Sequence, residues 1–224
     1  MSGDNLTYSR EFAGETLDCT QTTNEDGHIS LEFKDRATDR VLLSRVMDGE
    51  VLLDTYYVYD NYGNLRIVLP PAASDLLTST TTPASWTETA AAIQKYAYLY
   101  KYDGRNRCIY KKLPGCDPVY TVYDSADRPI FVQDGMQRSK GEWSFSIPDV
   151  FGRIVLTGTC KNTLNHANDP LKNAVVKATR LTGTNQTNEL KGYTLPSKVA
   201  LTTPVILSVN YYDRYNFIGS NGIP

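Results

Sequence analysis

Short apolar runs alternate with polar clusters along this chain, and the alternation has the period of strands. Tyr56 to Tyr59, Leu99 to Tyr102, Tyr120 to Tyr123 and Phe145 to Ile147 are rich in aromatic and β-branched residues. Such residues suit a pleated, half-buried surface. An aspartate follows each run (Asp60, Asp103, Asp124, Asp149), and a second run of the same type resumes beyond it: Leu65 to Leu69, Cys108 to Tyr110, Ile130 to Val132, Ile154 to Thr157. Strand, turn, strand is a hairpin. Asp103 and Asp124 are 21 residues apart, Asp124 and Asp149 25. That recurrence indicates one supersecondary unit stacked several times.

The turn itself is legible. Asp opens it, where its carboxylate can accept from backbone N–H groups a few residues on. Three residues later stand Gly63, Asn106, Asp127 and Gly152, types that tolerate positive φ. The pattern predicts type I turns at Asp60–Gly63, Asp103–Asn106, Asp124–Asp127 and Asp149–Gly152, each closing into a left-handed residue and a bulge. Arg107, Arg128 and Arg153 come next, and are expected to pair with the turn aspartates or cover apolar surface with their stems. A ligand-binding row of arginines would need a shared face. Nothing in the turns has the alternating acids of a calcium loop, so the aspartates are assigned to structure and not to metal.

Two stretches break the period. From Asp60 to Asp103 the interval is 43 residues, about 20 more than one repeat needs. Pro70 and Pro71 are expected to end a strand, and Ala72 to Thr82 to form loop with at most one turn. Ser85-Trp86-Thr87-Glu88 has capping-box spacing before an alanine-rich run, which predicts one main helix within Ser85 to Tyr98, packed on a sheet through Trp86 and Ile93. The second stretch runs from Lys161 to Gly192. Asp169-Pro170 predicts a short helix start, Val175 to Leu181 a strand, and Thr182 to Asn188 a polar loop. Tyr193 to Val209 resumes a strand pattern, with Pro196 and Pro204 confining parts of it to edges or bends. A variable ligand site would be sought here or at Leu76 to Pro83.

Composition narrows function by exclusion. A net charge of −2 in 224 residues, with acids and bases interspersed, gives no footprint for nucleic acid. No basic amphipathic helix suits a membrane surface, no run reaches the length of a span, and the N-terminus lacks a signal-peptide pattern. Sixteen tyrosines against six phenylalanines suit sheet faces that carry ring bodies with wet tips. The four cysteines (Cys19, Cys108, Cys116, Cys160) lack metal spacing; a Cys108–Cys116 bond is conceivable, and free buried thiols are favoured. His28 and His166 sit among polar residues and are expected to be exposed. No nucleophile elbow, phosphate loop or zinc motif occurs, so no catalytic residue, metal or organic cofactor is assigned.

Tyr57-Val58-Tyr59-Asp60-Asn61-Tyr62-Gly63-Asn64-Leu65, and Tyr100-Lys101-Tyr102-Asp103 leading to Arg107, resemble the YD repeat of bacterial Rhs proteins. The resemblance is clearest from Tyr56 to Thr157. Asp35 to Leu43 reads as an early copy with one extra turn residue, and Val209 to Tyr215 as a strand entering a truncated one. It implies an all-β fold: tandem YD-type β-hairpins in a curved antiparallel sheet, with one helical insertion packed on it. In that family the sheet coils into a shell around a toxin domain, or belongs to a large cell-surface protein. This chain holds too few repeats to close a shell, and no Asp-Pro-x-Gly segment follows Ser208, so it reads as a piece of a longer protein or a short relative.

The expected organisation is an N-terminal segment at 1–27, hairpin repeats at 28–160 with the helical insertion at 71–98, a second insertion at 161–192, and terminal strands at 193–224. The expected function is a non-catalytic scaffold segment of a secreted or cell-envelope protein. Its partners would be the rest of a longer repeat chain or a toxin domain, with an edge-strand homodimer also open. The alternative is a carbohydrate- or protein-binding module in which Tyr57, Tyr59, Tyr100 and Tyr102, at alternate strand positions, share one exposed face. A hydrolase ranks third.

Overall fold

The computed structural model describes residues 5–7, 16–78, 85–181 and 188–212. The fold is all-β with helical insertions. The chain divides into two compact units, Met1–Tyr102 with Lys111–Asp117, and Asp103–Tyr110 with Pro118–Pro224. Among the described residues, six strands pair in the first unit and five in the second, and the residues of β9 (Cys108–Lys112) divide between the two.

In the first unit β2 (Leu17–Thr23), β3 (Ile29–Asp35), β4 (Arg40–Asp48), β5 (Val51–Tyr59), β6 (Leu65–Leu69) and β8 (Tyr98–Tyr102) pair in succession. Sequence neighbours are sheet neighbours, as a chain of hairpins requires. A small separate sheet joins β1 (Asn5–Thr7) to β7 (Ser85–Thr87). Across β4 and β5, Arg45 faces Asp54 in register and clasps it with Nε at 2.7 Å and Nη2 at 2.8 Å. This two-pronged contact pins the pairing with geometry as well as charge. The apolar core gathers where the insertion meets the sheet: Ile67, Leu69, Ala73, Leu77, Ile93, Ala97 and Leu99 are all buried.

That insertion differs from the expectation in three ways. Pro71–Thr78 is a helix, α1, where loop was expected. Pro71 occupies its first position, where a missing N–H costs nothing, and the Pro70 carbonyl accepts from Ala73 and Ser74. The prolines therefore begin a helix as well as ending a strand. Ser85–Thr87 is strand β7, so the capping box does not form; Glu88 instead meets Arg66 at 3.4 Å and Lys101 at 2.5 Å. The second helix, α2 (Ala91–Tyr96), starts later and packs through Ile93, which is fully buried. The Trp86 side chain, expected to pack on a sheet, and the loop expected at 79–82 lie outside what the structure describes.

In the second unit the pairing order is β10 (Val119–Tyr123), β11 (Pro129–Gln133), β12 (Trp143–Pro148), β13 (Ile154–Cys160) and β16 (Val205–Val209). Helix α3 (Gly135–Lys140) links β11 to β12 through a full capping box: the Asp134 carboxylate accepts from Gln137 N–H, and the Gln137 side chain accepts from Asp134 N–H. Trp143, Phe145 and Ile147 alternate inward along β12 and pack with Val122, Phe131, Val155 and Leu156. The second insertion contributes Leu171, Val176 and Ala178 to the same core, and the stretch that follows it contributes Tyr193 and Val199.

Within that insertion the expected helix at Asp169-Pro170 is absent. A single 3-10 turn occupies His166–Asn168, and Asp169 is left-handed (φ 46°), which stops helical continuation. The expected strand from Val175 to Leu181 shrinks to β14 (Thr179–Arg180), paired with β15 (Tyr193–Thr194), because Val176 spends its backbone on the neighbouring turn. The truncated copy expected through Tyr215, and the loop at 182–187, fall outside the described residues.

Candidate functional site: the turn ladder and its terminal cleft

Four turns share one hydrogen-bonding scheme. Gly63, Asn106, Asp127 and Gly152 each donate N–H to the carbonyl of the aspartate three residues earlier, at 2.9, 3.0, 3.2 and 3.1 Å. Each is left-handed, with φ of 86°, 59°, 61° and 84°. One carboxylate oxygen of each aspartate accepts two further N–H groups, from the second and fourth residues on: Tyr62 and Asn64, Arg105 and Arg107, Ala126 and Arg128, Phe151 and Arg153. The other oxygen accepts from the side chain at the fourth position: Asn64 at 3.0 Å, and the Nε of Arg107, Arg128 and Arg153 at 2.7, 3.1 and 2.8 Å. Asp60, Asp103, Asp124 and Asp149 are thus fully engaged as acceptors. In three of the hairpins the pairing shifts just before the aspartate, at Val58/Tyr59, Val122/Tyr123 and Ile147/Pro148. The shift is the bulge that lets an odd residue out of the ladder.

Two more turns follow the scheme. Asp35 accepts from Ala37 N–H and from Asp39 N–H, with Asp39 left-handed at 56°, one residue later than elsewhere. Asn24 serves in the place of Asp: its amide oxygen accepts from Asp26 and His28 N–H, and Gly27 is left-handed at 83°. Sequence reading passed over this copy because Asn replaces Asp and no tyrosine precedes it. The glycine three residues on was the available signal.

The repeats are also joined to one another. The tyrosine just before a turn aspartate donates its hydroxyl to a backbone carbonyl at the start of the strand after the preceding turn: Tyr59 to Val41, Tyr102 to Leu65 and Tyr123 to Cys108, at 3.1, 2.9 and 3.1 Å. Tyr212 reaches the equivalent Ile154 carbonyl at 3.4 Å. The cation of the preceding turn lies over the ring: Arg40 over Tyr59 at 5.6 Å, Arg107 over Tyr123 at 5.0 Å, Arg153 over Tyr212 at 4.4 Å. Pro148 takes the tyrosine position before Asp149, so that link is missing. The second insertion supplies another, since Val176 donates N–H to Asp124 and accepts from Arg128.

This arrangement assigns the expected site residues. Tyr57, Tyr59, Tyr100 and Tyr102 are part-buried, and the Tyr59 and Tyr102 hydroxyls serve the backbone. Arg107 and Asp103 are each 8% exposed and 2.6 Å apart. Burial alone pushes the Asp103, Asp124 and Asp149 carboxyls up, but the arginine and backbone hydrogen bonds outweigh it, and all three lie below the usual value. His28 is exposed. His166 is part-buried and stacks on Tyr120 with centroids 3.8 Å apart, contrary to expectation, since the 3-10 turn seats its ring against β10. All four cysteines are free thiols; Cys160 is buried, while Cys19 and Cys116 are exposed. Among the described residues no three His, Cys, Asp or Glu side chains gather as a metal-binding group, and no helix is long and apolar enough to cross a membrane.

A cleft of about 460 Å³ opens beside the Asp149 turn. Val150, Phe151 and Tyr212 line it together with Arg153, Lys177 and Arg180. Phe151, at the tip of the turn, is 77% exposed.

No family model and no curated protein matches the sequence. Among solved structures, the crystal structure of TcdB2-TccC3 is similar to 73% of this chain, with a TM-score of 0.44 and 13% identity. The similarity spans 7% of that much longer chain.

Proposed function

We propose that this chain is a non-catalytic scaffold segment of a secreted or cell-envelope protein, built from hairpins that lock onto one another, whose product is shape. The observation that carries the reading is the complete use of the turn aspartates. Each accepts two backbone N–H groups and one side chain, which commits these four carboxylates to the turns. The paired tyrosines support the same reading, because their hydroxyls tie strand to strand.

The reading implies a partner for the outer strands. Among the described residues β2 ends the pairing order of the first unit and β16 that of the second, and in this reading each offers one backbone row suited to strand addition. The rest of a longer repeat chain, or a domain it encloses, fits that role; pairing between copies of the chain is the competing outcome. Cross-linking mass spectrometry on the protein from its native source tests this. Links from β2 and β16 to further β-repeat sequence or to an enclosed domain are expected. Recovery of the chain alone, with turnover of a small-molecule substrate, contradicts it.

A further inference from the structure

We infer that the bare apolar face shared by β3, β4 and β5 docks a cationic amphipathic helix of a partner protein. The inference goes beyond the scaffold reading and does not rest on it.

Strand register assembles the face. Ile29, Met47 and Leu52 stand in one cross-strand row, and Phe33, Leu43 and Tyr56 in another four residues away. Rows an even number of residues apart point to one side of the sheet. Between them lies the row of Leu31 with the Arg45–Asp54 clasp, two charges that neutralise each other in mid-face. The side continues onto β6, where Leu69 pairs with Tyr56 and Ile67 with Val58.

Cover differs along this side. On β6, Ile67 and Leu69 are buried, as are Ala73 and Leu77 of α1, and α1 is fastened where Ser74 Oγ donates to the Asp54 carbonyl at 3.0 Å. On β3 and β4 none of the apolar residues of the face is buried, and Leu52 on β5 is 44% exposed. Single exposed leucines need no explanation, but an apolar face that continues a helix-packed one has the form to take a second helix.

Charge sets the sign of that helix. Between Leu17 and Tyr59 stand nine acidic and four basic side chains, in a chain whose net charge is −2. All four bases are engaged: Lys34 with Glu32, Arg36 with Asp18, Arg45 with Asp54, and Arg40 over the Tyr59 ring. Glu25 and Asp26 at the β2–β3 turn, and Asp48 and Glu50 around the β4–β5 turn, are exposed and form no ion pair among the described residues. Successive antiparallel hairpins bring both turns to the same end of the strands, beside the row of Ile29, Met47 and Leu52. A helix with lysines flanking an apolar stripe meets both the face and its acidic rim. A second copy of this chain would instead set one acidic rim against another.

Methyl NMR of the full chain, titrated with a 14-residue leucine–lysine peptide patterned as an amphipathic helix, tests the inference. Saturable binding is expected, weakening as salt rises, with shifts at the methyl groups of Ile29, Leu31, Leu43, Met47 and Leu52. The paired substitutions Leu31→Thr with Leu52→Thr, and Asp48→Asn with Glu50→Gln, alter side chains outside the buried core. Each pair should keep the wild-type circular dichroism spectrum and weaken binding at least tenfold. The same peptide with glutamate for lysine, and one of equal composition with leucine and lysine in strict alternation, should bind at least tenfold more weakly. Absence of saturable binding, wild-type shifts confined to other residues, or unchanged binding in both folded variants overturns the site. Equal binding of the glutamate peptide overturns the cationic partner, and equal binding of the alternating peptide assigns it to a strand edge instead. Concentration-dependent shifts of the same methyl groups without peptide would show a second copy as the occupant and overturn the inference.

Discussion

The Arg107 guanidinium donates from Nη1 to the backbone carbonyl of Asp124, 2.7 Å away and 17 residues further along the chain. The same nitrogen lies 3.0 Å from the Asp127 carboxylate, while Nε holds Asp103 in its own turn. One side chain thus closes one turn and grips the next. Arg105 adds a parallel contact to the Ser125 carbonyl at 2.9 Å. Correct folding of one hairpin therefore presents a binding surface for its successor, which is how a stack of marginal units gains stability from nearest-neighbour terms.

Arg107→Ala removes this grip and leaves the Asp103 carboxylate, 8% exposed, without its cation. Stranding a buried charge costs about 3 kcal/mol. The expected outcome is a loss of that order in urea denaturation. Arg107→Lys should recover only part of it, since an ammonium cannot donate in two directions from a planar fork.

Tyr123→Phe deletes the hydroxyl that donates to Cys108. The expected loss is about 1 kcal/mol, the net worth of a neutral hydrogen bond with its acceptor left behind. Tyr102→Phe should lose a similar amount at Leu65. Melting curves of the two variants check the values.

Stability should fall in acid. The folded Asp103, Asp124 and Asp149 carboxyls lie below their usual value despite burial, because arginines and backbone N–H groups favour the charged form. A depressed folded pKa contributes stability that is complete above the unfolded value of about 4 and lost as pH falls through the folded one. Denaturation midpoints should therefore be level in these groups from neutral pH to about 5 and drop below about 4. Asp124→Asn, which keeps the acceptor oxygen but not the charge, should lower the plateau and flatten the acid limb.

Two glycines are required for different reasons. A Cβ on Gly63 would strike the Arg40 guanidinium and would also sit at φ 86°, so Gly63→Val should destabilise by roughly 1–2 kcal/mol. At Gly158 φ is ordinary, and a Cβ would instead meet the Val205 carbonyl and the Phe145 ring. Gly158→Ala should cost on the order of 2 kcal/mol by overpacking and loosen β16 first. Amide exchange at Val205–Val209 reads that loosening directly.

The turns were legible in the sequence because a backbone at positive φ admits few residue types, and a carboxylate at the turn's start has one local use. The bonds between turns were not. That Arg107 reaches Asp124, or Tyr59 reaches Val41, depends on strand pairing that no local pattern encodes. Helix α1 was hidden because Pro71 suits both the end of a strand and the first turn of a helix. The spacing of Ser85 and Glu88 fits a capping box, but Glu88 is drawn to two cations, Arg66 and Lys101, that lie far off in sequence. The cleft was legible in part: Lys177 to Arg180 fall in the second insertion, one of the places where a ligand site was expected, but Phe151 and Tyr212 are distant along the chain and reach the same cleft only in the fold.

The central claim is that each repeat is held by its neighbour, and hydrogen exchange on Arg107→Ala tests it most directly. Ala126 and Arg128 N–H are bound to Asp124, in the turn after the mutated one. The account predicts faster exchange there as well as at Arg105 and position 107, with the Asp60 and Asp149 turns unchanged. Faster exchange confined to residues 103–107, with Ala126 and Arg128 as protected as before, would contradict it.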